Sequence, residues 1–170
     1  NGTVLNVLKF RSMRISKTRT SKITSKNDPR VFFFGKIIRL LKIDELPQLF
    51  NILKGEMNLV GPRPEDLFIV QNHYDKVMLE SLSVNPGLAS PGSLYNYTHI
   101  EDSLTGNDTE KEYIHKILPL KVRIDVIYVR NKSFFYDFKI IIKTIVIIFQ
   151  KALGKKQFVL PKEYTLAQKI

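Results

Sequence analysis

Cysteine and tryptophan are absent from the 170 residues, and histidine occurs only three times. Without a thiol there is no disulfide, no thiolate metal site and no cysteine nucleophile, a composition that fits a reducing compartment. The histidines, His73, His99 and His115, are too scattered for a metal box such as H-x-x-x-H. No apolar run approaches the ~20 residues that span a bilayer. The most apolar stretch, Ile140 to Phe149, is interrupted by Lys143. Acid is scarce at the start of the chain: residues 1–42 hold 11 Lys/Arg against one acid, Asp28. The remainder is nearly neutral, so the net charge of +11 describes a basic N-terminal segment on a balanced body. Such a segment favours phosphate, whether of a nucleic acid, a nucleotide or a lipid headgroup. What is present is globular: 44% hydrophobic and 25% charged residues exclude wholesale disorder and supply one ordinary domain.

Residues 3–10 have β-branched residues in partial alternation and predict a short strand. Residues 14–30 are basic and rich in Ser/Thr, a loop ending at Asp28-Pro29. A short amphipathic helix is expected over Gly35–Leu41. A second runs from Asp44 to Leu53, with Leu46, Leu49, Phe50 and Leu53 on one buried face and Gly55 as its C′ residue. Further helices are expected over 64–82, 107–130 and 133–153. Turn-rich chain occupies 85–93, and a basic, weakly patterned tail occupies 154–170. Strands and helices do not alternate, so the expected fold is a compact, mostly helical α+β domain, not a doubly wound sheet. The 133–153 helix is apolar nearly all round, which suits a buried helix or one lying in a membrane interface.

Three groups of residues carry chemistry. Asp44-Glu45 places two carboxylates at a helix start, where the dipole favours ionisation. An ionised aspartate attacks phosphorus in some enzymes, and its neighbour can hold Mg²⁺ with substrate phosphates. The plainer alternative is a pair of acids complementing the dipole. In Gly61-Pro62-Arg63-Pro64 two prolines hold one guanidinium ready for bidentate phosphate binding; a solvated arginine on a turn is the alternative. Arg39, Lys9 and Arg11 supply further cations with the same ambiguity.

The run from Asp44-Glu45-Leu46-Pro47-Gln48 through Gly55-Glu56-Met57 to Gly61-Pro62-Arg63-Pro64-Glu65 resembles the bacterial sugar transferase family, the monotopic phosphoglycosyl transferases. The likeness extends upstream through Lys9-Phe10-Arg11 and Asn27-Asp28-Pro29-Arg30. Downstream it reaches Asn85-Pro86-Gly87 and Asp125 to Tyr128, then Tyr136-Asp137-Phe138-Lys139, covering about residues 3–152. It implies a catalytic domain over 1–153 that transfers a sugar-1-phosphate from a UDP-sugar to polyprenyl (undecaprenyl) phosphate. Asp44 would be the nucleophile, forming an aspartyl-phosphosugar and releasing UMP. Glu45 would be its partner in the dyad, as a Mg²⁺ ligand with Asp44 or as the group that handles the acceptor's proton, and Arg39 and Arg63 would lie near the phosphates. The implied partners are the sugar nucleotide, the polyprenyl phosphate and the cytoplasmic face of the bacterial inner membrane. Nucleic acid is not among them.

The sequence departs from the family pattern in three places. Lys42 stands where a helix-capping Ser or Thr is usual, a loss of about 1 kcal/mol of local stability, although the cation favours an ionised Asp44. Leu88 to Tyr95 differs from the family's usual loop. The family's N-terminal membrane segment does not precede Asn1, so an upstream part is expected. A catalytically silent membrane-associated homologue is the competing reading.

Overall fold

The computed structural model describes residues 4–15, 28–101 and 109–170. Most of the loop expected over 14–30, and the start of the helix expected at 107, lie outside them. The order along the chain is α1 (Phe33–Leu40), a 3₁₀ turn (Ile43–Glu45), α2 (Gln48–Leu53), β1 (Asn58–Val60), α3 (Leu67–His73) and α4 (Lys76–Leu79). A second 3₁₀ turn (Glu80–Ser83), β2 (Gly87–Ala89), α5 (Pro91–Tyr95) and a π-helical turn (Asn96–Ile100) follow. Next come α6 (Thr109–Glu112), another π turn (Tyr113–Ile117), α7 (Leu118–Arg130), α8 (Phe134–Ala152) and α9 (Glu163–Ala167). This is the mostly helical α+β domain the sequence implies.

The strand expected at 3–10 is corrected. Residues 4–10 form no ladder, because their neighbours are a helix and a turn. Leu8 N–H donates to Asn51 Oδ1 at 3.1 Å, and Phe10 N–H to the Asp44 carbonyl at 2.9 Å. The sheet described is instead β1 parallel to β2, with Asn58 opposite Gly87 and Val60 opposite Ala89. Three-residue strands are too short to show a period of two.

Helix α7 is the central element. Leu118, Ile124, Val126 and Tyr128 on it are fully buried. α5 packs on it closely because residue 92 is glycine: a Cβ there would meet the Lys121 carbonyl at 2.4 Å. The helix expected over 107–130 is interrupted by the π turn just before Pro119, whose missing N–H and ring an α-helical interior does not accept. The helix expected over 64–82 starts later, at Leu67, and breaks before Lys76. Asp66 caps α3 by accepting from Phe68 N–H, and Asp75 caps α4 by accepting from Met78 N–H. The 154–170 segment folds back: α9 packs on α7 with Ala167 fully buried, and Tyr136 O–H donates to Glu163.

Helix α8 starts at Ser133, whose Oγ accepts from Tyr136 N–H at 3.3 Å. Ile140 packs with Val60, Ala89 and Tyr128 beneath the sheet. Its other side leaves Phe134, Phe135, Phe138, Ile145, Val146 and Phe149 exposed. No helix among the described residues is long and apolar enough to cross a membrane.

Candidate active site

Asp44 sits in the 3₁₀ turn between α1 and α2. Lys42, the residue before that turn's first position, has φ 55° and ψ 21°, the left-handed region, and offers no side-chain cap. A lysine held there stores about 1–3 kcal/mol of strain. The turn aims Asp44 and Glu45 into a cavity of about 460 Å³. Its charged end holds Lys9, Arg39, Lys42, Asp44, Glu45 and Arg63, and its apolar end includes Leu59, Leu88, Ile141, Ile145 and Ile148.

The two carboxylates behave differently. Glu45 receives both Arg63 Nη1–H (2.9 Å to Oε2) and Nη2–H (2.6 Å to Oε1), with Lys9 Nζ 3.5 Å away. Burial opposes its charge, but this forked pairing holds the carboxyl well below the usual range. Asp44 is only 6% exposed, and its Oδ1 has no hydrogen-bond partner. Burial, then the charge of Glu45, pushes its pKa up against the pull of Lys9, Lys42 and Arg39. The expected dipole assistance is absent because the α-helix begins only at Gln48, beyond Pro47. Asp44 is therefore a desolvated carboxyl with one oxygen free of hydrogen bonds.

Arg63 is positioned by the Pro62 and Pro64 turn that follows β1. Gly61 and Gly87 let this turn and β2 approach: a Cβ on Gly87 would lie 2.0 Å from Gly61 N. Gly87 N–H donates to the Pro62 carbonyl at 2.9 Å. Of the other residues the sequence singles out, Lys9 and Arg39 line the cavity. Arg39 Nη1–H also reaches Met13 Sδ at 3.6 Å. Arg11 is exposed and does not line the cavity.

Sequence reasoning missed a buried network behind Arg63. Glu65 Oε2 accepts from Tyr113 O–H at 2.6 Å and from Lys121 Nζ–H at 2.9 Å, and Lys121 also reaches Tyr113 Oη at 2.7 Å. All three line the cavity. Burial opposes both charges of the Glu65–Lys121 pair, yet each keeps the other ionised: Glu65 is held low and Lys121 high. Asp125 was also missed. Buried on α7, it accepts from Gly92 N–H (2.7 Å) and Ser90 Oγ–H (3.1 Å), tying α7 to the loop that ends β2. Glu65 closes the Pro-Arg-Pro run and Asp125 opens the Asp125 to Tyr128 stretch, so both motifs contained a signal; Lys121 reads as an ordinary helix residue.

The cavity thus brings together a two-residue carboxylate dyad, a forked arginine and flanking lysines beside an apolar trough. The chain belongs to the bacterial sugar transferase family, whose profile matches residues 1–151. The undecaprenyl-phosphate glucose phosphotransferase of Komagataeibacter xylinus is 37% identical over 153 residues, 85% of this chain and 26% of that protein. The UDP-N-acetylgalactosamine-undecaprenyl-phosphate N-acetylgalactosaminephosphotransferase of Aeromonas hydrophila is 35% identical over 144 residues, 82% of this chain and 30% of that protein. The UDP-glucose:undecaprenyl-phosphate glucose-1-phosphate transferase of Xanthomonas campestris pv. campestris is 32% identical over 160 residues, 91% and 30% of the two chains. The chain thus spans between a quarter and a third of the length of these relatives.

Proposed function

We propose that this domain transfers a sugar-1-phosphate from a UDP-sugar to undecaprenyl phosphate through a covalent intermediate on Asp44. The free, buried Oδ1 of Asp44 carries this reading. The oxygen attacks the β-phosphorus, the one bearing the sugar. The bond from that phosphorus to the bridging oxygen breaks, and the electron pair leaves with UMP. A lipid phosphate oxygen then attacks the same phosphorus, and the Asp44 carboxylate departs. The product is undecaprenyl-diphospho-sugar, the start of a polysaccharide or glycoconjugate.

Arg63 uses two of its five N–H donors on Glu45, which leaves others for phosphate oxygens and fixes the fork in place. Lys9, Arg39 and Lys42 add positive charge around the transferring group, the main requirement of phosphoryl transfer. Leu59, Leu88 and the Ile141–Ile148 side of α8 give the lipid's first isoprene units an apolar trough.

Mg²⁺ fits the dyad. Asp44 keeps a free oxygen, each Glu45 oxygen keeps a lone pair beyond its arginine bond, and Mg²⁺ needs only one or two carboxylates plus substrate phosphates. When bound, the ion would neutralise charge on the phosphate oxygens. The domain would act at the cytoplasmic face of the inner membrane, with the exposed apolar side of α8 against lipid.

The test is UMP release by the full-length protein in membranes, given Mg²⁺, undecaprenyl phosphate and a panel of UDP-sugars. Asp44→Asn and Mg²⁺-free samples run alongside. Release with one donor and its loss in both controls is the expected result; turnover by folded Asp44→Asn would refute the nucleophile.

A further inference from the structure

Among the described residues, Lys42 alone has a positive φ without being glycine, and it stands two residues before Asp44. Its side chain gives the following turn no cap. Backbone in so sparsely populated a region persists only where its surroundings hold it there. The carbonyl of this strained residue accepts from Glu45 N–H at 3.1 Å, and the Ile43 carbonyl accepts from Leu46 N–H at 3.1 Å. The direction of Lys42's backbone therefore sets the turn that carries Asp44.

One buried side chain grips both the backbone and the side chain at this point. Tyr97, on the π-helical turn, is 4% exposed and packs with Leu94 and Ile147. Its O–H donates to the Leu40 carbonyl at 2.6 Å, where α1 ends. Its ring centre lies 4.3 Å from Lys42 Nζ, and Glu101 Oε2 is 3.7 Å from the same ammonium. Lys151 of α8 completes the cluster. Its Nζ lies 4.1 Å from the same ring centre and 4.0 Å from the same Glu101 oxygen, and it donates to the Tyr97 carbonyl. A cation held on a desolvated aromatic face is bound more firmly than one in water.

We propose that Tyr97 is a positioning residue for the transfer: it holds residues 40–42 in their strained path and so aims Asp44 into the cavity. Its effect runs through the turn, not through contact with the reacting atoms. This rests on the reading of Asp44 as the nucleophile.

The experiment follows UMP release by the full-length protein in membranes, and amide exchange of the same protein in nanodiscs. Tyr97→Leu removes the hydroxyl and the ring. It should lower kcat about ten-fold and leave KM for the sugar nucleotide within about two-fold. The Glu45 and Leu46 amides, which donate within the turn, should exchange faster in this variant. Tyr97→Phe keeps the ring beside Lys42 and should lose only about three-fold in kcat. Phe158→Ala trims the packing around Tyr97 but keeps its contacts to Leu40 and Lys42, and should leave kcat and these amides unchanged. Glycine takes a left-handed backbone without strain, so in Lys42→Gly the further change Tyr97→Leu should cost at most about three-fold. Unchanged kcat or unchanged exchange in folded Tyr97→Leu would overturn the proposal, as would an equal loss of kcat in Phe158→Ala. If Tyr97→Leu does not fold, Tyr97→Phe decides, and an unchanged kcat there overturns the proposal. In each of these cases an inactive Asp44→Asn leaves the nucleophile reading standing. Turnover by folded Asp44→Asn would overturn both.

Discussion

Asp44 and Asp125 are both buried carboxylates, and their neighbours treat them in opposite ways. Asp44 keeps an oxygen free, whereas Asp125 is gripped by Gly92 N–H and Ser90 Oγ–H. Burial still dominates at Asp125 and pushes its pKa up to about 6, from an ordinary value of 3.8. The native state therefore binds this proton more tightly than the unfolded chain. The stability this contributes is complete below the ordinary value and is lost as pH rises through about 6, at most about 3 kcal/mol. Glu45 and Glu65, held low, act in the opposite sense, and only at more acid pH. Urea midpoints at about pH 5 and about pH 7 should show wild type losing stability between them and Asp125→Asn losing less. The residues proposed to do the chemistry drew attention because they sit together in one motif: Asp44, Glu45 and Arg63 lie within twenty residues. Lys121 and Asp125 were not, because their significance comes from partners on other elements, Glu65 and Gly92, that only the fold brings near.

At the scale of elements, the short sheet exists to place one turn. Strands of three residues contribute little alone, but β2 runs so close to Gly61 that the Pro-Arg-Pro turn is fixed against it. Gly87→Ala adds a methyl 2.0 Å from Gly61 N, a clash with backbone that no rotamer relieves. The expected cost is about 1–3 kcal/mol or more. UMP release should fall further than stability explains, as Arg63 moves away from Glu45; chemical denaturation and turnover on the same sample separate the two. Amphipathic spacing revealed α1, and a long apolar run revealed α8. For α2 it found the helix but not its inner face: Leu46, Leu49, Phe50 and Leu53 are exposed, and the residues buried on α2 are Gln48 and Asn51, whose amide holds the 4–10 segment. It failed for 64–82, because the Asp66 cap that delays the first helix and the Asp75 cap that starts the second interrupt no hydrophobic pattern. It also hid the π turn, which keeps helical periodicity almost intact while absorbing one residue before Pro119.

The molecule as a whole is asymmetric. One side carries the exposed phenylalanines of α8, together with Phe33 and Phe34 of α1, which packs beside it. Such a patch on a chain with 27 Lys/Arg and 16 Asp/Glu suits an anionic lipid surface. Phe138 and Phe149 are 58% and 69% exposed, so replacing both with Ser should leave the fold intact. Each full burial in lipid contributes about 1.5–3 kcal/mol, so co-sedimentation with anionic vesicles should weaken at least ten-fold. Binding that survives in the double variant should be the salt-sensitive part.

The first cavity joins charged lining to apolar lining, and this has a kinetic consequence. If the nucleotide leaves from the charged part while the lipid enters along the apolar part, the departing product never occupies the acceptor's place. Under the proposed double displacement, initial-rate plots should then be parallel. Added UMP should compete with the sugar nucleotide and not with the lipid, the reverse of what one shared place used in turn would give.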